Sequence, residues 1–145
     1  MLAFLNVKTR RVFCSTSTLK PDGKWMKKQA RSLLKKAKEA ELPIKHLVLD
    51  CDYKYTSEFN DVFEKADIRI ERTAPRAPNQ NAFVERWIGS LKHECLNRFI
   101  CFGMEHLDHI VSEYVQFYNR FRPHQSVDNR PLEGEWPVID APLEE

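Results

Sequence analysis

Two carboxylates in this sequence are placed where they can bind a metal ion. Leu47, Val48 and Leu49 form an apolar run typical of a buried strand, and Asp50 follows directly. Glu85 follows after 34 intervening residues, early in a predicted helix. Two carboxylates at one sheet edge can hold divalent cations such as Mg²⁺, and two such cations can act on both sides of a phosphoryl transfer. Each acid alone is more typical of an exposed surface residue, so its surroundings decide the interpretation.

The helix predicted for residues 81–97 gives Glu85 two companions. Glu85, Gly89 and Lys92 are spaced i, i+4 and i+7, so they share one helix face. Glycine in the middle of a helix costs about 1 kcal/mol relative to alanine. Gly89 therefore indicates either close approach by a ligand or packing of another helix, and both alternatives stay open. The opposite face is the predicted core stripe: Val84, Trp87, Ile88, Leu91 and Cys95.

The other predicted elements position these side chains. Their order is a hairpin, a helix, a strand, a helix, a strand and two helices, which is typical of a mixed α/β layer. The strand that delivers Asp50 is predicted to be buried on both faces, and the residues between Thr73 and Gln80 to form a loop. The predicted strands are 2–7, 12–18, 45–50 and 68–71, and the predicted helices are 24–41, 57–65, 81–97 and 104–121.

Composition indicates one globular domain with an uneven charge distribution. The chain has 145 residues, of which 42% are hydrophobic and 30% charged. Residues 1–38 hold 11 Lys and Arg and a single acid, whereas the rest holds 12 basic and 20 acidic residues. This asymmetry favours a polyanionic partner, although a solvated basic helix explains it equally well. No targeting segment is evident, and the four cysteines form no CxxC pair, so a reduced, cytoplasmic protein is expected.

Four motifs in order give these residues a family resemblance. They are an Asp at a strand end followed by T-S-x-F, a proline-rich loop leading into N-A-x-x-E-R, then K-x-E-C-L, and finally Y-N-x-x-R-P-H. Residues 1–131 thereby resemble the integrase catalytic core of insertion-sequence transposases and retroviral-type integrases. Residues 132–145 are interpreted as a C-terminal tail. The resemblance implies an α/β, RNase H-like fold with a mixed sheet and flanking helices.

The resemblance also implies an activity and a set of site residues. Such cores cut and join DNA by transesterification with Mg²⁺ or Mn²⁺, held by a D, D, E triad whose last two members lie about 34–35 residues apart. Asp50 matches the second Asp and Glu85 the Glu, while Asp52 is interpreted as a neighbour. Lys92 is expected to meet a DNA phosphate, and Arg76 lies in a loop near the active site. The implied partners are DNA and further copies of the chain, with no membrane and no small-molecule substrate.

One triad member has no counterpart in this sequence. The family's first Asp lies on a first strand that is central in the sheet, between the hairpin and the strand ending at Asp50. No acid precedes Asp22 here, and Asp22 falls in a turn. The chain is therefore expected to lack that strand, to bind metal weakly and to show no strand transfer as written. An exposed strand edge further predicts self-association.

Three functions remain to be compared. The first is an integrase or transposase core, and the second is a non-enzymatic DNA-binding or assembly module that retains the basic helix. A different RNase H-like nuclease is the third, and the N-A-x-x-E-R and Y-N-x-x-R-P-H motifs argue against it. Within the last motif, Arg122 and His124 are interpreted as either structural or DNA-facing.

Overall fold

A hairpin at the start of the chain separates two helical layers. The computed structural model describes residues 1–50, 52, 55–73 and 82–134. Strand β1 spans Ala3–Leu5 and β2 spans Val12–Cys14, paired antiparallel with Phe4 opposite Phe13. Because successive side chains of a strand point to opposite faces, Leu2 and Phe4 pack in one hydrophobic cluster and Ala3 and Leu5 in another. The hairpin is therefore a middle layer.

The first cluster lies under helices α1 (Gly23–Glu39) and α2 (Ser57–Glu64). The Asp22 side chain accepts a hydrogen bond from the Trp25 N–H at 2.8 Å and so caps the start of α1. Phe59 and Phe63 of α2 are fully buried, with ring centroids 5.0 Å apart. The basic residues of α1 lie mainly on its exposed side, as predicted. The buried residues of α1 are Met26, Gln29, Ala30, Leu33 and Ala37.

Strands β3 (His46–Leu49) and β4 (Arg69–Arg72) form a second, parallel pair. The prediction that β3 is buried on both faces is wrong. Leu49 is 4% exposed in the first cluster, whereas Val48 on the opposite face is 48% exposed. The reason is that the helix on that side packs against β1 of the hairpin. In the described part of the chain, the two strand pairs are separate two-stranded sheets.

The second cluster joins the hairpin to α3 (Ala82–Ser90) and α4 (Met104–Arg120). The α-helix predicted for 81–97 is interrupted, because a π turn at Leu91–Cys95 and a 3₁₀ turn at Leu96–Arg98 follow α3. Trp87 is 2% exposed and meets the Tyr118 ring edge-on, with ring centroids 6.5 Å apart. The apolar spacing of the predicted helix 104–121 indicates a core stripe, and this prediction is correct except at Phe117 and Phe121, which are exposed. The predicted stripe is Leu107, Ile110, Val111, Tyr114, Phe117, Tyr118 and Phe121.

The last element in the described residues is a short 3₁₀ turn, Gln125–Val127, and the described residues end at 134. The order of the main elements agrees with the sequence prediction, with boundaries differing by up to a few residues. No helix in the described residues is long and apolar enough to cross a bilayer.

Candidate functional site

Asp50 lies directly after β3, where the Thr73 N–H donates to the Leu49 carbonyl at 2.8 Å and holds β4 alongside. Its carboxylate accepts a hydrogen bond from the Tyr55 hydroxyl, and burial, followed by the Asp50 charge, raises the pKa of Tyr55. The Oδ1 atom of Asp50 is buried and has no hydrogen-bond partner among the described residues. A buried carboxylate oxygen without a donor is unfavourable. The Oδ1 atom of Asp50 is therefore suited to bind a hard cation such as Mg²⁺.

Tyr55 connects the Asp50 carboxylate to the hydrophobic core. Its ring packs against Phe59 with centroids 5.2 Å apart, and its N–H points at the Asp52 carbonyl oxygen, 3.4 Å away. The Asp52 charge also acts on Tyr55 and raises its pKa, although less than Asp50 does. Asp52 therefore borders the Asp50 site, and its interpretation as a neighbour stays a prediction.

Glu85 is exposed in α3, on the side of the helix opposite the buried Trp87. Lys92, in the π turn, is exposed as well. Gly89 between them faces open space, because a Cβ built there would meet no described atom within 4 Å. The helix-packing explanation of Gly89 is therefore wrong for the described residues. Close approach by a ligand stays a prediction.

The structure brings Asp50 and the first turn of α3 to the same groove. A cavity of about 610 Å³ is lined by Asp50 and Tyr55 on one side and by Phe83 and Val84 on the other. Glu85 follows Val84 in the chain but is not part of the lining. No group of three or more His, Cys, Asp or Glu side chains that can hold a metal occurs in the described ranges. The predicted DNA contact Arg76 lies outside the described residues.

The motif residues after Glu85 hold helices together. Arg122 donates to both carboxylate oxygens of Glu94, from Nη2 at 2.7 Å and from Nε at 2.9 Å, and the Tyr114 hydroxyl donates to Glu94 at 2.7 Å. The Arg122 hydrogen bond lowers the pKa of Glu94 and raises the pKa of Arg122. Of the two roles considered for Arg122, a structural role and contact with DNA, these hydrogen bonds favour the structural role. Glu94 was the partner that sequence reasoning did not identify.

Asn119 and His124 complete this framework. The Asn119 amide accepts from the Val12 N–H at 3.0 Å and donates to the Val12 carbonyl at 2.9 Å, so it covers the outer edge of β2. His124 is buried, its Nε2 lies 2.7 Å from the Tyr118 carbonyl oxygen, and burial lowers its pKa. The sequence analysis assigned no role to Asn119. Its position in the Y-N-x-x-R-P-H motif was the one feature of the sequence that pointed to it. His124 is structural.

Residues 66–131 match a family model described as integrase core domain. The chain is 33% identical over 57 residues to an uncharacterized 39.2 kDa protein of insertion element IS476 from Xanthomonas euvesicatoria. That match spans 39% of this chain and 16% of the relative.

The fold has a counterpart among solved structures. The HTLV-2 integrase catalytic core domain, solved in complex with magnesium in a trimeric form, superposes with a TM-score of 0.65 at 13% identity. The superposition covers 90% of this chain and 79% of that one. At this identity the likeness establishes the fold, which confirms the RNase H-like α/β prediction. Residues 66–131 are thus similar to an integrase core domain, and the likeness in fold extends over 90% of the chain.

Proposed function

We propose that this chain is the metal-binding part of a DNA strand-transfer enzyme, with Asp50 and Glu85 as two of its metal ligands. The observation that carries the proposal is the buried Oδ1 of Asp50, which has no hydrogen-bond partner among the described residues and lies at a groove bordered by the first turn of α3. The residues fit Mg²⁺ or Mn²⁺ because both donors are carboxylates, which hard cations prefer. When bound, such cations activate an attacking hydroxyl and stabilise the leaving oxygen.

The protein groups position the reactants. Tyr55 holds the Asp50 carboxylate by its hydrogen bond. The exposed side of α3, with Glu85 at its start and Lys92 beyond its end, offers a cation for a DNA phosphate. Gly89 between them leaves room for a backbone to approach. Arg76 is proposed as a second phosphate contact.

Two carboxylates provide an incomplete ligand set for a two-cation reaction. No acidic residue precedes Asp22 in this sequence, and Asp22 caps α1. Residues 1–145 alone are therefore proposed to bind metal weakly and to perform no strand transfer.

A cleavage and joining assay on labelled DNA ends, with Mg²⁺ and with Mn²⁺, tests the proposal. The expected result is metal-dependent DNA binding, lost in Asp50→Asn and Glu85→Gln, without turnover. Asp61→Asn and Glu64→Gln are the matched controls, because both residues are exposed acids on α2. Turnover that Asp50→Asn abolishes would contradict the inactivity and support the site.

A DNA-binding or assembly module without catalysis is the second candidate, and the exposed basic side of α1 favours it. DNA affinity that needs no metal and is unchanged in Glu85→Gln would support this candidate. Replacing three of the exposed lysines of α1 by glutamate would then weaken DNA binding most at low salt, because the release of counterions drives such contacts. DNA and further copies of the chain are the proposed partners in either case. The exposed basic residues are Lys24, Lys28, Arg31, Lys35, Lys36 and Lys38.

A further inference from the structure

Two arginines from different elements meet beside the first turns of α3. Arg10 lies between β1 and β2, in the connection of the hairpin, and Arg86 follows Glu85 in the N-A-x-x-E-R motif. The guanidinium carbon of Arg10 lies 3.4 Å from the centre of the Phe83 ring, at the start of α3. Phe83 and Arg86 are three residues apart, so they are neighbours on the surface of the helix. The hairpin connection and α3 therefore bring two cations to one place.

The charges of both arginines act on the same buried side chain. Tyr118 of α4 is 8% exposed, and burial raises the pKa of its hydroxyl. The charges of Arg122, Arg10 and Arg86 act in the opposite direction and lower that pKa. Arg10 and Arg86 therefore lie on the side of the second cluster where Tyr118 is, together with Arg122.

The acids of this region are occupied by other arginines. The Glu94 carboxylate lies 2.7 Å from the guanidinium of Arg122. The Glu133 carboxylate lies 2.7 Å from Arg11 and 3.1 Å from Arg120. Both carboxylates are thus neutralised by arginines other than the pair beside α3.

Arg10 and Arg86 themselves are not neutralised. In the part of the chain that the structure describes, neither guanidinium group has a hydrogen bond or an ion pair. The Nη1 atom of Arg10 is moreover buried without a partner among these residues, which is unfavourable for a charged group. The other two nitrogens of this guanidinium stay open to a ligand. The pair is therefore a cationic site that an anion would stabilise.

The arginine pair lies across α3 from the Asp50 groove. Successive residues of a helix are about 100° apart around its axis, so Arg86 and Val84 lie on opposite sides of Glu85. Val84 lines the groove together with Asp50. Glu85 therefore stands between the groove on one side and the arginine pair on the other.

We propose that Arg10 and Arg86 together bind one phosphate of a DNA strand that crosses the exposed side of α3. Guanidinium groups bind phosphate oxygens bidentately, and the contact with Phe83 holds the Arg10 plane in one orientation. An α-helix is about 10 Å across, and DNA rises about 3.4 Å per nucleotide. The bound phosphate is therefore about three nucleotides from the position of the candidate metal site. Its contact positions the strand without reading the base sequence.

A phosphate fits this pair better than a carboxylate of a partner protein does. Phosphate oxygens point in several directions, so guanidinium groups from two elements can bind them at once, whereas the two oxygens of a carboxylate lie in one plane. The site rests on the proposed function for its DNA ligand, but it requires no metal at Asp50.

Side-chain NMR of the intact 145-residue chain, labelled with isotopes at arginine, tests the site directly. In EDTA and at low salt, where weak contacts are detected, a short DNA duplex is expected to shift the Nε–H resonances of Arg10 and Arg86. The Arg122 resonance is expected to stay in place, because its Nε is bonded to Glu94 at 2.9 Å. Unshifted resonances of Arg10 and Arg86 would overturn the proposal. So would shifts caused by inorganic phosphate or an acidic peptide and not by the duplex.

Substitutions provide the second test, with Mg²⁺ present. Arg10→Gln and Arg86→Gln are each expected to weaken duplex binding at least about threefold and to lower the salt dependence of log affinity by up to about 1. The double variant is expected to bind nearly as the weaker single variant does, since both side chains act on one phosphate. Arg69→Gln is the matched control, because Arg69 is exposed on β4 and pairs with Glu71 at 3.2 Å. Equal losses in all three single variants, or unchanged salt dependence, would overturn the proposal.

The two tests separate this site from the metal site. If the proposed metal site fails, duplex binding is the same in Mg²⁺ and in EDTA, and the Arg10 and Arg86 resonances still shift. If the phosphate site fails, these resonances stay in place under both conditions.

Discussion

At the scale of single residues, several of the motif residues stabilise the fold. The Asn119 amide makes the two backbone hydrogen bonds to Val12 that a neighbouring strand would otherwise make. Glu94 accepts hydrogen bonds from Arg122 and Tyr114. Asp50 differs from them because its buried Oδ1 has no partner among the described residues. The contrast distinguishes residues that stabilise the core from one that is available to a ligand.

Asn119→Leu is expected to lower the free energy of unfolding by about 2 kcal/mol or more. The substitution leaves the N–H and C=O of Val12 unpaired, and Val12 is 0% exposed. Gln116→Leu, at an exposed position of the same helix, is the control and is expected to change stability little. Urea unfolding measures both. Equal effects of the two substitutions would contradict the role given to the amide.

His124 is expected to make stability depend on pH. Burial lowers its pKa below the ordinary value of 6.5, so the unfolded chain takes up the proton more readily than the folded one. The stabilisation is therefore complete above pH 6.5 and is lost as the pH falls from that value towards the lowered pKa. Urea unfolding between about pH 7.5 and pH 5 is expected to show a shallower loss in His124→Gln than in the unsubstituted chain. Identical pH profiles would be inconsistent with this account.

At the scale of elements, α3 presents the candidate site and the π turn continues it. Trp87, Leu91 and Cys95 keep one side in the second cluster, and the opposite side stays exposed with Glu85 and Lys92. Helix α3 thus contacts the second cluster on one side and borders the groove at its first turn. Its one glycine has no packing partner among the described residues.

Gly89→Ala is expected to raise the free energy of unfolding by up to about 1 kcal/mol, because alanine is the better helix former and its Cβ meets open space. Ser112→Ala, at an exposed position of α4, measures the generic gain from helix propensity. Thermal unfolding of both variants makes the comparison. Destabilisation by Gly89→Ala would reveal a contact that the described residues do not show.

At the scale of the whole molecule, periodicity predicted the elements and their order, because apolar spacing reports which face of each segment is buried. It did not predict the exposure of Val48, since β3 alone does not tell whether a neighbouring layer extends over it. The end of the α4 stripe failed for the same reason at Phe117 and Phe121. For the candidate site, the sequence proposes Asp50 and Glu85, but the Tyr55 hydrogen bond to Asp50 depends on a side-chain geometry that spacing does not encode.

The central claim is that Asp50 and Glu85 share a metal ion, and Mn²⁺ binding measured by electron paramagnetic resonance tests it most directly. The account predicts weak binding to the unsubstituted chain, reduced at least about tenfold in both Asp50→Asn and Glu85→Gln because each removes one anionic oxygen ligand. Asp61→Asn is predicted to bind as the unsubstituted chain does. Mn²⁺ affinity that is the same in all four proteins would contradict the claim.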